Sequence, residues 1–339
     1  MKTWKPWAYL ATIALLFFAG DRLIAAGLDA LVDRSDFRLS KIYRGGLDSD
    51  VVVIGNSRAV HAIFAPEMSE QLCRSVFNAA YNGMSIEVAD AVLEDYLDRN
   101  KPPQVALIEV SNATTDNNIV KEMRLYARGK SHLAGLVHDL DPRASLWMSF
   151  SHLFRFNNEL TLRAMHYLGR TDQDWVMQDH PMTPEVIANL RPEWYPEPTL
   201  RPDAVAALKR MVHVLKARNV EPVLFIAPFH PVHEKLVPGY QAWVDALQRE
   251  VGNDTKIINL SEYLTANEDF SDVVHMNIRG SRVMMAALAE KLKVSLPAQT
   301  ASKCTYPSAT VALSGVPTSG TGSDAAGTSA APAGAAIPQ

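Results

Sequence analysis

Two short stretches, far apart in the chain, hold residue types that do nucleophilic chemistry together. The apolar run 50–54 (DVVVI) leads straight into Gly55-Asn56-Ser57-Arg58. Gly55 permits a sharp turn that a side chain would obstruct. Ser57 then stands at the carboxyl end of a strand, at the start of the next helix, where backbone N–H groups favour developing negative charge. Near the other end, Asp272-Val273-Val274-His275 precedes Asn277 and an amphipathic stretch. A spacing of three places a carboxylate and an imidazole on one turn. The carboxylate can hold the ring's tautomer through Nδ1 and leave Nε2 free as a base. Each piece has a plain alternative: a serine after a strand caps a turn or helix, and Asp-x-x-His forms a loop ion pair. Taken together they describe a serine that attacks an ester, a histidine that relays the proton and an aspartate that orients the histidine.

Whether they meet depends on the elements between them. Apolar, β-rich runs recur at 50–54, 75–79 (SVFNA), 104–110 (QVALIEV), 221–227 (EPVLFIA) and 255–260 (TKIINL). Helical periodicity fills 87–98, 203–217, 240–251 and 278–291. Alternating strand and helix predicts an α/β fold, a doubly wound, flavodoxin-like parallel sheet of five strands with helices on both faces. In such a sheet the residues after the first and fifth strands both lie at the carboxyl edge.

Residues 115–200 contain no clear strand and end in a proline-rich exit, RPEWYPEPTLRP. They read as a helical insertion. It either caps the carboxyl edge, where ligands bind in open α/β sheets, or packs as a subdomain away from substrate. His230 and His233 follow the fourth strand at the functional edge. Substrate contact, an ordinary loop and metal ligation are all open to them, though no third ligand is evident nearby. Arg58 either pairs with a substrate carboxylate or phosphate or lies on a helix surface. His61 reads as a surface or supporting residue. Glu109, inside the third strand, is a partly buried carboxylate without an evident role. There is no G-x-S-x-G elbow, P-loop or dinucleotide fingerprint, and no cofactor is implied.

The order and spacing of these blocks resemble the SGNH, or GDSL-type, serine hydrolases over residues 50–292, the insertion excepted. Gly55-Asn56-Ser57 matches the family's Gly-Asp-Ser block, with Asn56 in place of Asp, and Asp272 and His275 match its Asp-x-x-His block. The resemblance implies oxyanion donors at the Ser57 N–H, at Gly83 in Tyr-Asn-Gly-Met and at Asn112 in Val110-Ser111-Asn112-Ala113. That third block keeps only the Asn of the usual Gly-x-Asn-Asp. The fold expected is thus an SGNH-hydrolase-type sheet with an N-terminal membrane helix. An exported, anchored domain of this kind is similar to proteins that add or remove acyl groups on envelope and secreted polysaccharides. That likeness implies an acylated glycan or acyl donor as ligand and a membrane-bound acyl-transfer protein as partner. Water or a sugar hydroxyl would receive the acyl group. The opposing reading is a non-catalytic SGNH-like binding or assembly protein of an envelope polysaccharide complex.

Composition bounds the rest. The chain has 339 residues, 47% hydrophobic and 21% charged, with a formal net charge of −4. This excludes a wholly disordered chain, a collagen and a multispan membrane protein, and no basic field points to nucleic acid. Two cysteines, Cys73 and Cys304, are too few for a disulfide scaffold; a bond between them is open. Lys2 and Lys5 precede a charge-free run at 6–20. That run spans ~22 Å as helix, short of a ~30 Å hydrocarbon core, and reaches across if the helix continues through Leu28. Positive charge ahead of the run favours an inside N-terminus. This predicts an uncleaved single-pass anchor in the inner membrane with the body on the periplasmic side; a cleaved signal peptide is the rival. The expected organisation is a membrane helix at 1–31, an SGNH-like domain at 32–297 containing the 115–200 insertion, and a disordered Ala/Ser/Thr/Gly/Pro tail at 298–339.

Overall fold

The five apolar runs become five parallel strands: β1 (Val51–Ile54), β2 (Val76–Asn78), β3 (Val105–Glu109), β4 (Glu221–Ile226) and β5 (Ile257–Asn259). Their order is β2-β1-β3-β4-β5, with Val53 opposite Asn78 and Leu107, and Ile108 opposite Leu224. The structure is a computed structural model that describes residues 4–170, 178–293 and 296. The tail at 298–339, and Cys304 with it, lies outside the described residues.

The strands are near-continuous apolar runs because the sheet is covered on both faces. Alternate side chains feed opposite cores. Val52, Ile54, Ala106, Ile108, Leu224 and Ile226 face one. Val51, Val53, Val105, Leu107, Val223 and Phe225 face the other. The first core is closed by α2 (Arg38–Arg44), α5 (Ile86–Arg99), α11 (Pro202–Ala217) and α13 (Tyr240–Val251), through residues such as Ile42, Val92, Met211 and Leu247. The second is closed by α3 (Ser57–Ala62), α4 (Ala65–Leu72) and α14 (Ile278–Leu292), through Ala59, Met68 and Met285. The fold is therefore the doubly wound α/β sandwich expected, with strand ends within one or two residues of the sequence reading.

The N-terminal helix α1 (Trp4–Arg34) is long and apolar enough to cross a membrane, with a mean hydropathy of 1.6 over its most apolar window. Residues 7–18 are exposed. The second half packs on the domain through Asp21, Ala25 and Val32. The insertion holds α6 (Val120–Met123), α7 (His132–Leu140), α8 (Pro142–Phe150), α9 (Glu159–His166) and α10 (Pro184–Ala188). Its middle packs against α5 and α1. Its two ends, at Thr114–Asp116 and Trp194–Thr199, reach the carboxyl edge of the sheet. A short helix α12 (His233–Leu236) follows β4.

Candidate active site

Gly55 makes the turn out of β1 at φ +152°, and a Cβ there would lie 2.9 Å from both the Ala59 and Glu109 Cβ atoms. Only hydrogen fits. Asn56 caps α3 by accepting from the Arg58 N–H at 2.9 Å, which makes Ser57 the first helical residue, where N–H groups have no intrahelical acceptor. Asn78, at the end of β2, donates to the Ala59 and Ile63 carbonyls at 3.1 and 2.8 Å and holds α3 against the sheet.

The loop 271–275 after β5 is tight: the His275 carbonyl accepts from the Ser271 and Asp272 N–H groups. Asn277 caps α14 by accepting from the Arg279 and Gly280 N–H groups at 3.0 and 3.1 Å. The Ser281 hydroxyl donates to the His61 carbonyl, and Arg282 pairs with Glu67 at 2.7 Å. These contacts lash α14 to α3 and α4.

Ser57 and His275 meet. Ser57 Oγ lies 2.8 Å from His275 Nε2, and His275 Nδ1 lies 2.8 Å from Asp272 Oδ2. Asp272 Oδ1 accepts from the Val274 and His275 N–H groups, each at 2.8 Å. Burial pushes the Asp272 carboxyl up, but the His275 hydrogen bond, the charge of His275 and the two backbone donors together hold it below its ordinary value. With both its oxygens engaged, the carboxylate fixes the ring so that Nε2 faces the serine. His61 is buried, and its ring packs edge-on against His275 at 4.9 Å; it backs the imidazole rather than lying on the surface.

Arg58 does not lie on the helix surface; it lines the larger cavity over Ser57 and His275. It is 5% exposed, and its guanidinium serves protein acceptors. Nε faces Glu109 Oε1 at 3.4 Å. One terminal nitrogen donates to the Val274 carbonyl at 2.6 Å, and the other to the Ala227 and Pro228 carbonyls. The plane lies 3.4 Å from the Phe229 ring centre. Glu109, fully buried, also accepts from the Ser111 hydroxyl at 2.7 Å and the Ala227 N–H at 3.3 Å. The sequence did carry a sign of this pair: a carboxylate ending an otherwise apolar strand, and a cation in the first turn of a helix abutting it.

A cavity of ≈ 570 Å³ opens over Ser57 and His275, lined also by Ser111, Trp194, His233 and Tyr240. Beside it lies a cavity of ≈ 370 Å³. Phe229, His233, Val237 and Tyr240 border both. His233 stacks on Phe229 at 3.8 Å; burial and the Arg58 charge push its pKa down to about 3. The Tyr240 hydroxyl is buried with no hydrogen-bond partner among the described residues, and burial, partly offset by Arg58, raises its pKa. His230 lines only the smaller cavity, its ring nitrogens engaged by the Val232 N–H at 3.1 Å and Asn267 Oδ1 at 2.8 Å. Gly83 sits exposed in the turn after β2, at φ +70°, and is not among the residues lining the larger cavity. Asn112 falls in the 3-10 turn Val110–Thr114, beside the cavity-lining Ser111; its side chain lies outside the described residues. Among the described residues no group of three His, Cys, Asp or Glu side chains is placed to hold a metal ion.

No protein-family model matches the chain, and no curated protein does. Among solved structures, it is similar to a candidate acylhydrolase from Bacteroides fragilis NCTC 9343 at 10% identity, over 72% of this chain and 86% of that one, with a TM-score of 0.35. A likeness this slight adds nothing to the architecture described above.

Proposed function

We propose that this chain is an SGNH-like serine esterase or O-acyltransferase acting on acyl esters, acetyl foremost, of a cell-envelope or secreted polysaccharide. The observation that carries the reading is the unbroken hydrogen-bonded line Asp272–His275–Ser57 at the floor of an open cavity. Serine alone is a weak nucleophile; a neutral imidazole within hydrogen-bond reach, itself oriented by a carboxylate, activates it. In the reaction, Ser57 Oγ attacks the acyl carbonyl while His275 Nε2 takes the hydroxyl proton. The Ser57 N–H, with Asn112 as the further expected donor, would face the oxyanion; Gly83, which does not line the cavity, is given no part in it. Collapse expels the alcohol, which receives the proton from His275. Water or a sugar hydroxyl, deprotonated by His275, then takes the acyl group from Ser57, and His275 returns that proton to the departing Ser57 Oγ.

The glycan reading rests on the aromatic rim at Trp194 and Tyr195 and on the polar side chains, Ser111, Thr114 and Thr115 among them, that share the cavity wall. The placement at the inner membrane, with the body periplasmic, rests on α1 and the lysines ahead of it. A fluorophosphonate probe on the full chain tests the chemistry: it should label the wild type and leave Ser57→Ala unlabelled. Equal labelling of both would overturn the triad. Absence of labelling, with glycan binding intact, would favour a binding or assembly protein. Acceptor preference is read by supplying an activated acetyl ester with oligosaccharides and following acetylated sugar against free acetate.

A further inference from the structure

We infer that helix α8 is a second membrane contact, an aromatic foot lying in the headgroup boundary of the leaflet from which α1 emerges. The inference rests on the reading of α1 as a membrane-spanning helix. The continuous bare run of α1 at 7–18 is closed by the buried Asp21, beyond which one face alone stays exposed, at Leu23 and Ile24. There the helix is clamped to the end of α8. Asp21 accepts from the Ser151 hydroxyl and from the His152 and Leu153 N–H groups. Arg22 donates to the Phe150 and Ser149 carbonyls at 2.8 and 3.1 Å, while its guanidinium lies 3.5 Å from the Phe18 ring centre. A turn or two further along α1, Asp29 pairs with Arg155 at 2.8 Å.

The element held at this height is apolar on the outside. In α8 only Ala144 is buried. Leu146, Trp147 and Phe150 are 58, 59 and 66% exposed, at a spacing that places them on one helical face. The Trp147 and Phe150 rings sit 6.4 Å apart. Three large apolar side chains grouped in water require a cover. An apolar surface whose helix end is hydrogen-bonded to a membrane helix beside its continuous bare run lies within reach of the bilayer, and aromatics such as Trp147 settle at the headgroup level. Arg22, with an apolar stem and a charged head between the two helices, suits the same boundary. Two attachments also do what one cannot: a single helix leaves the domain free to swivel, whereas a foot beside it fixes which way the Ser57 cavity points.

The test uses the full chain in phospholipid nanodiscs with p-benzoylphenylalanine placed singly at Trp147, Phe150, Phe17 or Val283, the last an exposed position on α14. After irradiation, mass spectrometry reads what each position has captured. Lipid adducts at 147, 150 and 17, with none at 283, are expected. Adducts at 17 but not at 147 or 150 would overturn the foot and leave the anchor standing. No adduct at 17 would overturn the anchor and the foot with it. Capture of a second copy of the chain at 147, or equal lipid capture at 283, would also overturn the foot.

Discussion

Arg58, the residue after Ser57, donates to the carbonyl of Val274, the residue before His275, at 2.6 Å. One side chain thus sets the distance between the two halves of the site, and Glu109 beneath it holds that side chain in place. Lysine has no planar fork to serve Glu109 and three carbonyls at once. Removing one partner of a buried ion pair costs about 3–5 kcal/mol.

Arg58→Met should therefore lower the melting temperature and kcat together, with KM for a small ester nearly unchanged. Arg58→Met/Glu109→Met, which removes both charges, should regain much of the melting temperature but not kcat. Recovery of both in the double variant would show a purely structural pair.

Asp272→Asn keeps the size of the side chain but loses the charge and the tautomer control at His275 Nδ1. General-base catalysis contributes about 10²–10⁴-fold, so ester turnover should fall by roughly that range. The Asp272 side chain is 46% exposed, so thermal stability should move little. Turnover within a few-fold of wild type would remove Asp272 from the relay.

His233 makes stability acid-sensitive. Its folded pKa is about 3 against an ordinary 6.5, so between those values the unfolded chain holds a proton that the native state refuses. Its contribution is fully present above pH 6.5 and is lost as pH falls through that window, at up to about 1.4 kcal/mol per pH unit. The depressed pKa of Asp272 adds a second loss only below its ordinary 3.8. Urea denaturation at pH 7, 5.5 and 4.5 should show a steeper decline for wild type than for His233→Gln. Parallel curves would assign the sensitivity elsewhere.

Gly55→Ala would push a Cβ to within 2.9 Å of the Ala59 and Glu109 Cβ atoms and 3.3 Å of the Glu109 carbonyl oxygen. Overpacking of this kind costs about 1–3 kcal/mol. Because the strain falls between β1 and β3, Ser57 should shift as well, and probe labelling should slow in protein that still folds. A melting temperature and labelling rate equal to wild type would show that the turn relaxes freely.

The strands were readable because Val51–Ile54 and Val105–Glu109 are covered on both faces, and a sheet so covered writes itself as unbroken β-branched runs. That Ser57, Asp272 and His275 come together was readable because their meeting depends on local spacing and on the carboxyl edge, both properties of the alternation. Arg58 was not: whether an arginine in a first helical turn faces water or the sheet is decided by Glu109, Ala227 and Val274, all distant in sequence. The same holds for His61, buried only because α14 crosses α3, and for His230, whose ring is claimed by Asn267. The insertion read correctly as helical, but that only its ends reach the cavity depends on α7 packing against α5.

Ser57 and His275 are 218 residues apart, one following the first strand and the other the last. At 5–20 residues per second of synthesis, the serine leaves the ribosome about ten to forty seconds before its base exists. Through that interval its hydroxyl is an ordinary alcohol, without the imidazole that would make it a nucleophile toward esters. On the proposed chemistry, the strand order that joins the chain's first and last turns is also its safety catch, released only when α14 has docked.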